Sequence, residues 1–236
     1  MMDKRHLPLV RQALQEACAE PDPQRRQLLA TVALAALMPW SGEAAAAVEL
    51  EGVELAESVT AYGQKLLLNG AAVRKRGYFK ADVTALYLPE KRTTAEAVMK
   101  LNGIRRIQLN ILREFTSSTI SRIFLADFQQ AATDDEFKKL IEVVGTIGAA
   151  YSNVKRVVRG DVVNLDWVPG KGWLAAHNGR QLTGDGSGAV SINNELAFQV
   201  YLRMYIGPNA PEDMRNGLLG LTRLPRVNSR DSRDND

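Results

Sequence analysis

The chain has few of the residues that do chemistry through sulfur or imidazole. Among 236 residues there is one cysteine, Cys18, and there are two histidines, His6 and His177. A lone cysteine excludes an intrachain disulfide framework, and its place before the globular part leaves no thiolate metal cluster there. Two histidines so far apart supply no recognisable ligand set, so no metal site is expected. No charge of one sign dominates: 30 basic and 27 acidic residues leave a net charge of +3. The signs are interspersed, so no basic face of the kind that holds nucleic acid is expected. The apolar run Leu28–Met38 has 11 residues, against the 20 or so that cross a bilayer, so no stable membrane span is expected. What is present, 45% hydrophobic and 24% charged residues, is the ordinary composition of a soluble globular domain with appendages.

The first 47 residues read as an export signal. Arg25-Arg26 precede the apolar run, Pro39 breaks it, and Ala44–Ala47 supplies small residues suited to cleavage after Ala46 or Ala47. The paired arginines suggest the twin-arginine route, although Gln24 stands where Ser or Thr is usual. Cleavage would place the mature protein in the periplasm. An amphipathic helix packed on the domain or on a membrane surface is the alternative.

Strand signals follow. Val48–Leu50, Glu57–Ala61 and Gln64–Leu68 are short candidates, the last two joined across Tyr62-Gly63. Asn69-Gly70 reads as a turn, and a short irregular or helical crossing carries the chain past Arg74. A long strand, Tyr78–Leu88, ends at Pro89. In it Phe79, Ala81, Val83, Ala85 and Tyr87 alternate with Tyr78, Lys80, Asp82, Thr84 and Leu86, which predicts one core face and one mostly polar face. Thr93 or Thr94 caps a short helix, Ala95–Leu101, and Ile104–Leu112 is the next strand. Two helices are expected over Ser117–Gln130 and from the capping box Thr133–Glu136 through Tyr151. Asp161–Val168, Trp173–His177 and Arg180–Thr183 form a meander, with a tight hairpin at Asn178-Gly179. Helices over Ala189–Ile206 and Glu212–Leu219 close the domain, and residues 221–236 read as a disordered charged tail. Gly184–Gly188 has only the composition of a phosphate loop and lacks its strand–helix frame, so no cofactor is expected. Strands early and late in the chain, with helices grouped in the middle and at the end, point to an α+β fold with helices on one face of an antiparallel sheet.

The run LNGAAVRKRGYFKADVTALYLPE resembles the signature segment of the chalcone isomerase-like family, in its bacterial branch. KRTTAEAV, IRRIQLNIL, GDVVNLDWVPGKG and LRMYIGPNAPEDMRNGLLG follow in family order, and the resemblance covers Val48–Gly220. It implies an open-faced β-sandwich, a large antiparallel sheet covered by helices with a ligand cleft between them. The family includes enzymes that close a chalcone to a flavanone and relatives that bind fatty acids.

The resemblance also implies site residues. Arg74, in the pattern G-x-x-V-R, is the family's cleft arginine, which holds the anionic end of a ligand; a guanidinium stays charged when partly buried and presents two donors in one plane. Asp82 falls where the isomerases have threonine and the fatty-acid binders tyrosine. A carboxylate there would pair with Arg74 and repel an anion, unless Tyr78 or Thr84 supplies the hydroxyl instead. The isomerases' cleft tyrosine and asparagine fall near Thr119 and Ala126, which cannot replace them. Among the rest, Gln108 and Asn110 either line the cleft or face solvent, His177 reads as an exposed turn residue, and Trp167 and Trp173 pack across their hairpin. Tyr201, Arg203 and Tyr205 either reach the cleft or keep helical packing. The expected ligand-binding set is therefore Arg74, Asp82, Thr84 and Thr119, and no catalytic set is evident. Three readings follow: a non-catalytic envelope protein holding a small amphipathic or aromatic ligand such as a fatty acid; an isomerase or intramolecular lyase of chalcone-isomerase type; and an interaction module with a vestigial cleft.

Overall fold

A computed structural model describes residues 47–183 and 190–226. Nearly all of the segment expected to be an export signal, up to Ala46, the Gly184–Gly188 connection and the tail beyond Arg226 lie outside the described residues. The chain opens with a hairpin, β1 (Ala47–Leu50) and β2 (Val53–Ala56). Glu51 and Gly52 turn it at φ 55° and 74°, the left-handed pair that a two-residue hairpin needs. The strands β3 (Ser58–Ala61), β4 (Gln64–Arg76) and β5 (Phe79–Leu88) follow, then α1 (Ala95–Met99), capped by Thr94. Next come β6 (Arg105–Ile111), the short β7 (Phe115–Thr116), α2 (Ser117–Ala131), α3 (Asp134–Lys139) and α4 (Ile141–Ser152). The chain then runs through β8 (Arg156–Val157), β9 (Val162–Val168), β10 (Gly172–His177), β11 (Arg180–Gln181) and β12 (Ser191–Ile192) to α5 (Glu195–Ile206) and α6 (Glu212–Leu218).

The main sheet runs in the order β11-β10-β9-β6-β5-β4-β3, with β12 also on β10, and every pairing is antiparallel. The helices cover one face. There Leu86, Ile107, Leu109 and Leu165 meet Phe124, Phe128, Phe198 and Tyr201. The β1–β2 hairpin covers part of the other, packing Val48 and Leu55 with Val83, Ala85 and Tyr87. This is the open-faced sandwich expected, an α+β fold. No helix among the described residues is long and apolar enough to cross a membrane.

Several local expectations change. Asn69-Gly70 is not a turn. It lies inside β4, a single strand of 13 residues that bulges between Leu68 and Gly70 and again between Arg74 and Lys75. The Asn69 amide donates to Leu218 O (2.7 Å) and Arg92 O (2.9 Å) and accepts from Arg92 N (2.7 Å), so tertiary contacts use the polarity that would favour a turn. Gly70 is required for packing. A Cβ there would lie 2.0 Å from Gly217 O, because the α6 backbone rests directly on the strand.

β5 has no polar solvated face: from Ala81 to Leu88 every residue is buried, Asp82 and Thr84 included. Its start is the exposed part, with Phe79 stacked under Arg113 at 4.0 Å and Tyr78 fully exposed in the turn. The helix expected from the capping box breaks at Leu140 (φ −101°, ψ 5°) into α3 and α4, although the box itself forms. The late helix starts at Glu195, capped by Asn194, after β12. The chain stays paired beyond Leu221: Glu49 N donates to Pro225 O at 3.1 Å, and Leu224 packs on the hairpin core.

Gly70→Ala is expected to lower stability by about 3 kcal/mol or more, since rigid backbone opposes the added methyl. Gly145→Ala, at an open position in α4, is expected to raise it by roughly 0.5–1 kcal/mol. Denaturant unfolding of the two variants against the parent protein measures both.

Candidate functional site

Between the sheet and helices α2, α4 and α5 lies an apolar cavity of about 80 Å³. Its floor is Leu109, Ile111, Val163 and Leu165 from the central strands, and its walls include Ile120, Ile123 and Phe124 from α2. A larger chamber of about 300 Å³ lies beside it, bounded by β4, α2, α5 and the start of α6. Arg74, Arg76, Met204 and Tyr205 line both spaces and form the partition between them.

Arg74 and Asp82 are directly opposed across β4 and β5, where cross-strand side chains touch. Arg74 Nε donates to Asp82 Oδ2 at 2.7 Å, and Arg74 Nη2 reaches the same oxygen at 2.6 Å. The Thr84 hydroxyl donates to Asp82 Oδ1 at 2.6 Å. The Asp82 side chain is 0% exposed and that of Arg74 19%, so the carboxylate relies on protein donors alone. Burial works against the Arg74 charge, but Asp82, with Tyr205 and Tyr201, outweighs it and holds the guanidinium firmly protonated.

Two phenols extend the network from α5. Arg74 Nη1 lies 3.5 Å from Tyr205 Oη, and Tyr205 Oη is 2.9 Å from Tyr201 Oη. Tyr151 joins them on the cavity wall from α4. Burial pushes all three phenols upward: Tyr201 and Tyr151 gain further from their tyrosine neighbours, while Arg74 moderates the shift of Tyr205. They therefore stay protonated at neutral pH, as hydrogen-bond donors on one wall of an apolar space.

The four expected residues are only partly brought together. Arg74 and Asp82 line the inner cavity. Thr84 stands behind Asp82 as its second-oxygen donor. Thr119 belongs to the cap of α2, hydrogen-bonded to Thr116, and is not among the lining residues. Ala126 is exposed on α2, whereas its neighbour Asp127 lines the outer chamber.

Gln108 and Asn110 need correction as cleft residues. β6 pairs them with Ala85 and Val83, so they occupy the hairpin face, where the Asn110 amide donates to Val83 O. On that face Arg106 also grips Asp166 through two 2.7 Å bonds, and burial together with Asp166 pushes the Tyr62 phenol up to about 12. His177 is not an exposed turn residue: its ring lines the inner cavity, with Nε2 2.9 Å from Asp161 Oδ2. Trp167 and Trp173 do oppose each other across β9 and β10, and both rings pack on Phe198. Tyr205 and Tyr201, left open by the sequence, reach the cavity, while Arg203 pairs with Glu136 at 2.8 Å and lines the outer chamber. Tyr151 and Arg76 were missed. Tyr151 lies in an ordinary helical stripe, and nothing in the run Arg74-Lys75-Arg76 sets Arg76 apart.

Arg74→Ala is expected to cost about 3–5 kcal/mol, because it leaves Asp82 buried and unpaired. Replacing both partners, Arg74→Met with Asp82→Leu, is expected to recover most of that loss in the same unfolding assay. A second outcome concerns alkali. The three phenols have folded values above the 10.0 of an unfolded chain. Their contribution is complete below about pH 10 and is lost as pH rises through the folded values, because only the unfolded chain releases these protons early. Phenolate absorbance in an alkaline titration is expected to lag behind that of free tyrosine and then rise together with unfolding.

The comparisons agree with this architecture. No curated protein matches the sequence. The crystal structure of an Arabidopsis thaliana fatty-acid binding protein superposes with a TM-score of 0.60 at 14% identity, covering 75% of this chain and 96% of that one. At that identity the likeness is one of fold. The family model described as chalcone isomerase-like matches residues 47–220, which include every element from β1 to α6, and the chain therefore belongs to the chalcone isomerase-like family.

Proposed function

We propose that this protein is a non-catalytic binder of a small amphipathic molecule, of the fatty-acid type, and that it works in the cell envelope. One observation carries the reading: an apolar cavity with a linked set of polar groups on one wall, Arg74, Tyr205 and Tyr201. Such a space takes a tail and orients a head. The Arabidopsis protein of the same fold is named as a fatty-acid binder, which supports this class of ligand. At about 80 Å³ the cavity is smaller than the roughly 150 Å³ that admits benzene. Entry of a chain therefore requires side chains to move. Met204, unbranched and part of the partition with the 300 Å³ chamber, is suited to that movement.

A second reading has its own support. Protonated phenols beside a guanidinium are the groups that would stabilise a developing enolate in a chalcone-type cyclisation. Cyclisation of a chalcone well above the spontaneous rate, lost in Tyr205→Phe, would favour it over simple binding.

The binding reading is tested by native mass spectrometry of the full chain, followed by solvent extraction of what it carries. An acyl or aromatic species is expected, absent from Ile123→Trp, which fills the cavity. A clean apo mass with no uptake of an added fatty acid or of its neutral ester would overturn the reading. For location, a cut after Ala46 or Ala47 would spare nearly all of β1, and sequencing of the envelope-fraction protein is expected to begin at Ala47 or Val48.

A further inference from the structure

This inference rests on the binding reading and concerns the chemistry of the ligand's head. A cavity that holds a free carboxylate needs a cation whose charge is not already spent. Among the described residues, the cations lining the two spaces each have an acid partner. Arg74 is held by Asp82 at 2.6 Å and Lys75 by Asp213 at 3.5 Å. Arg76 grips Asp127 with two donors, and Arg203 meets Glu136 at 2.8 Å. The Arg74 pair is the least dispensable. Asp82 has no contact with water, and both its oxygens are engaged. An incoming carboxylate at Arg74 would share one guanidinium with a second buried carboxylate, and the two like charges oppose each other.

What the walls do offer is donors without spare charge. Arg74 Nη1 has only a long contact, 3.5 Å, to Tyr205 Oη. The Nε groups of Arg76 and Arg203 also lack a hydrogen-bond acceptor, but they are fully buried, and a ligand reaches them only when those side chains move. Gln130 and Asn209 also line the outer chamber; the Asn209 amide donates one N–H to Gln130 O at 2.9 Å and keeps a second. Carbonyl, ether and hydroxyl oxygens satisfy such donors and bring no charge to be neutralised. The division of space agrees with this. The tail side is narrow and apolar, and the head side, at about 300 Å³, is of ligand-pocket size.

We propose that the ligand is an uncharged amphiphile, an acyl ester, amide or glyceride, whose tail enters the inner cavity and whose neutral head occupies the outer chamber past Arg74. A free fatty acid is the weaker ligand.

The test is a titration of the full chain at neutral pH, below micelle-forming concentrations, with lauric acid and with its 1-monoglyceride. The monoglyceride is expected to bind at least about tenfold more tightly, although the tails are identical. Asp82→Asn frees the Arg74 charge and is expected to narrow or reverse that ratio by raising affinity for laurate. If Asp82→Asn does not fold, Asp127→Asn, which frees Arg76 in the partition, is expected to shift the ratio in the same direction. Laurate binding as tightly as the monoglyceride in the parent protein would overturn this inference and leave the binding reading standing. Uptake of neither compound would overturn both.

Discussion

The Arg74–Asp82 ion pair is the constraint that the functional part of the molecule obeys. Two charges under a layer of helices are tolerated only when each finds its partner and its remaining hydrogen bonds inside the protein. Here the partner is supplied by register: β4 and β5 place the two side chains opposite each other. Thr84 then supplies a hydroxyl from the same strand as Asp82, and α5 brings Tyr205 to the free side of the guanidinium. The polar wall of the cavity follows from this arrangement, as does its overall neutrality.

The scaffold that fixes the pair is anchored at a distance from it. α6 lies against β4 so closely that Gly70 and Gly217 leave no room for a Cβ. Asn69 ties that strand to Arg92 and to Leu218 by three hydrogen bonds. These contacts hold the middle of β4. The second bulge, between Arg74 and Lys75, locally changes the twist of the strand's C-terminal end. α2 and α5 then cross over a sheet in which β5 is buried on both faces. A strand buried in this way has no solvated side on which to place a polar residue, so each polar group it carries must be paired or line a cavity.

The difference between the two polar clusters shows how much register decides. Arg106–Asp166 and Arg74–Asp82 are both salt bridges between neighbouring strands of the main sheet. The first lies on the hairpin face, where no described cavity adjoins it. The second lies under the helices and borders two. Gln108 and Asn110 went to the hairpin face for the same reason: β6 presents Ile107, Leu109 and Ile111 to the helices, and alternation sends its polar residues the other way.

By itself the sequence determined the family, the α+β class and most strand and helix positions, and through the family resemblance it raised the pairing of Arg74 with Asp82 that the β4–β5 register then decided. These rest on local patterns, period-two alternation, caps and turn residues, together with one signature segment, and such signals need no knowledge of distant contacts. Only the tertiary structure decided that Asn69-Gly70 is a bulge rather than a turn, because the deciding contact comes from α6, far along the chain. It also decided that His177, Tyr151, Tyr201 and Tyr205 meet at one cavity while Thr119 does not. Those side chains sit in stripes that look like ordinary packing, and which side of a packed helix meets a void depends on how helices and sheet fit together.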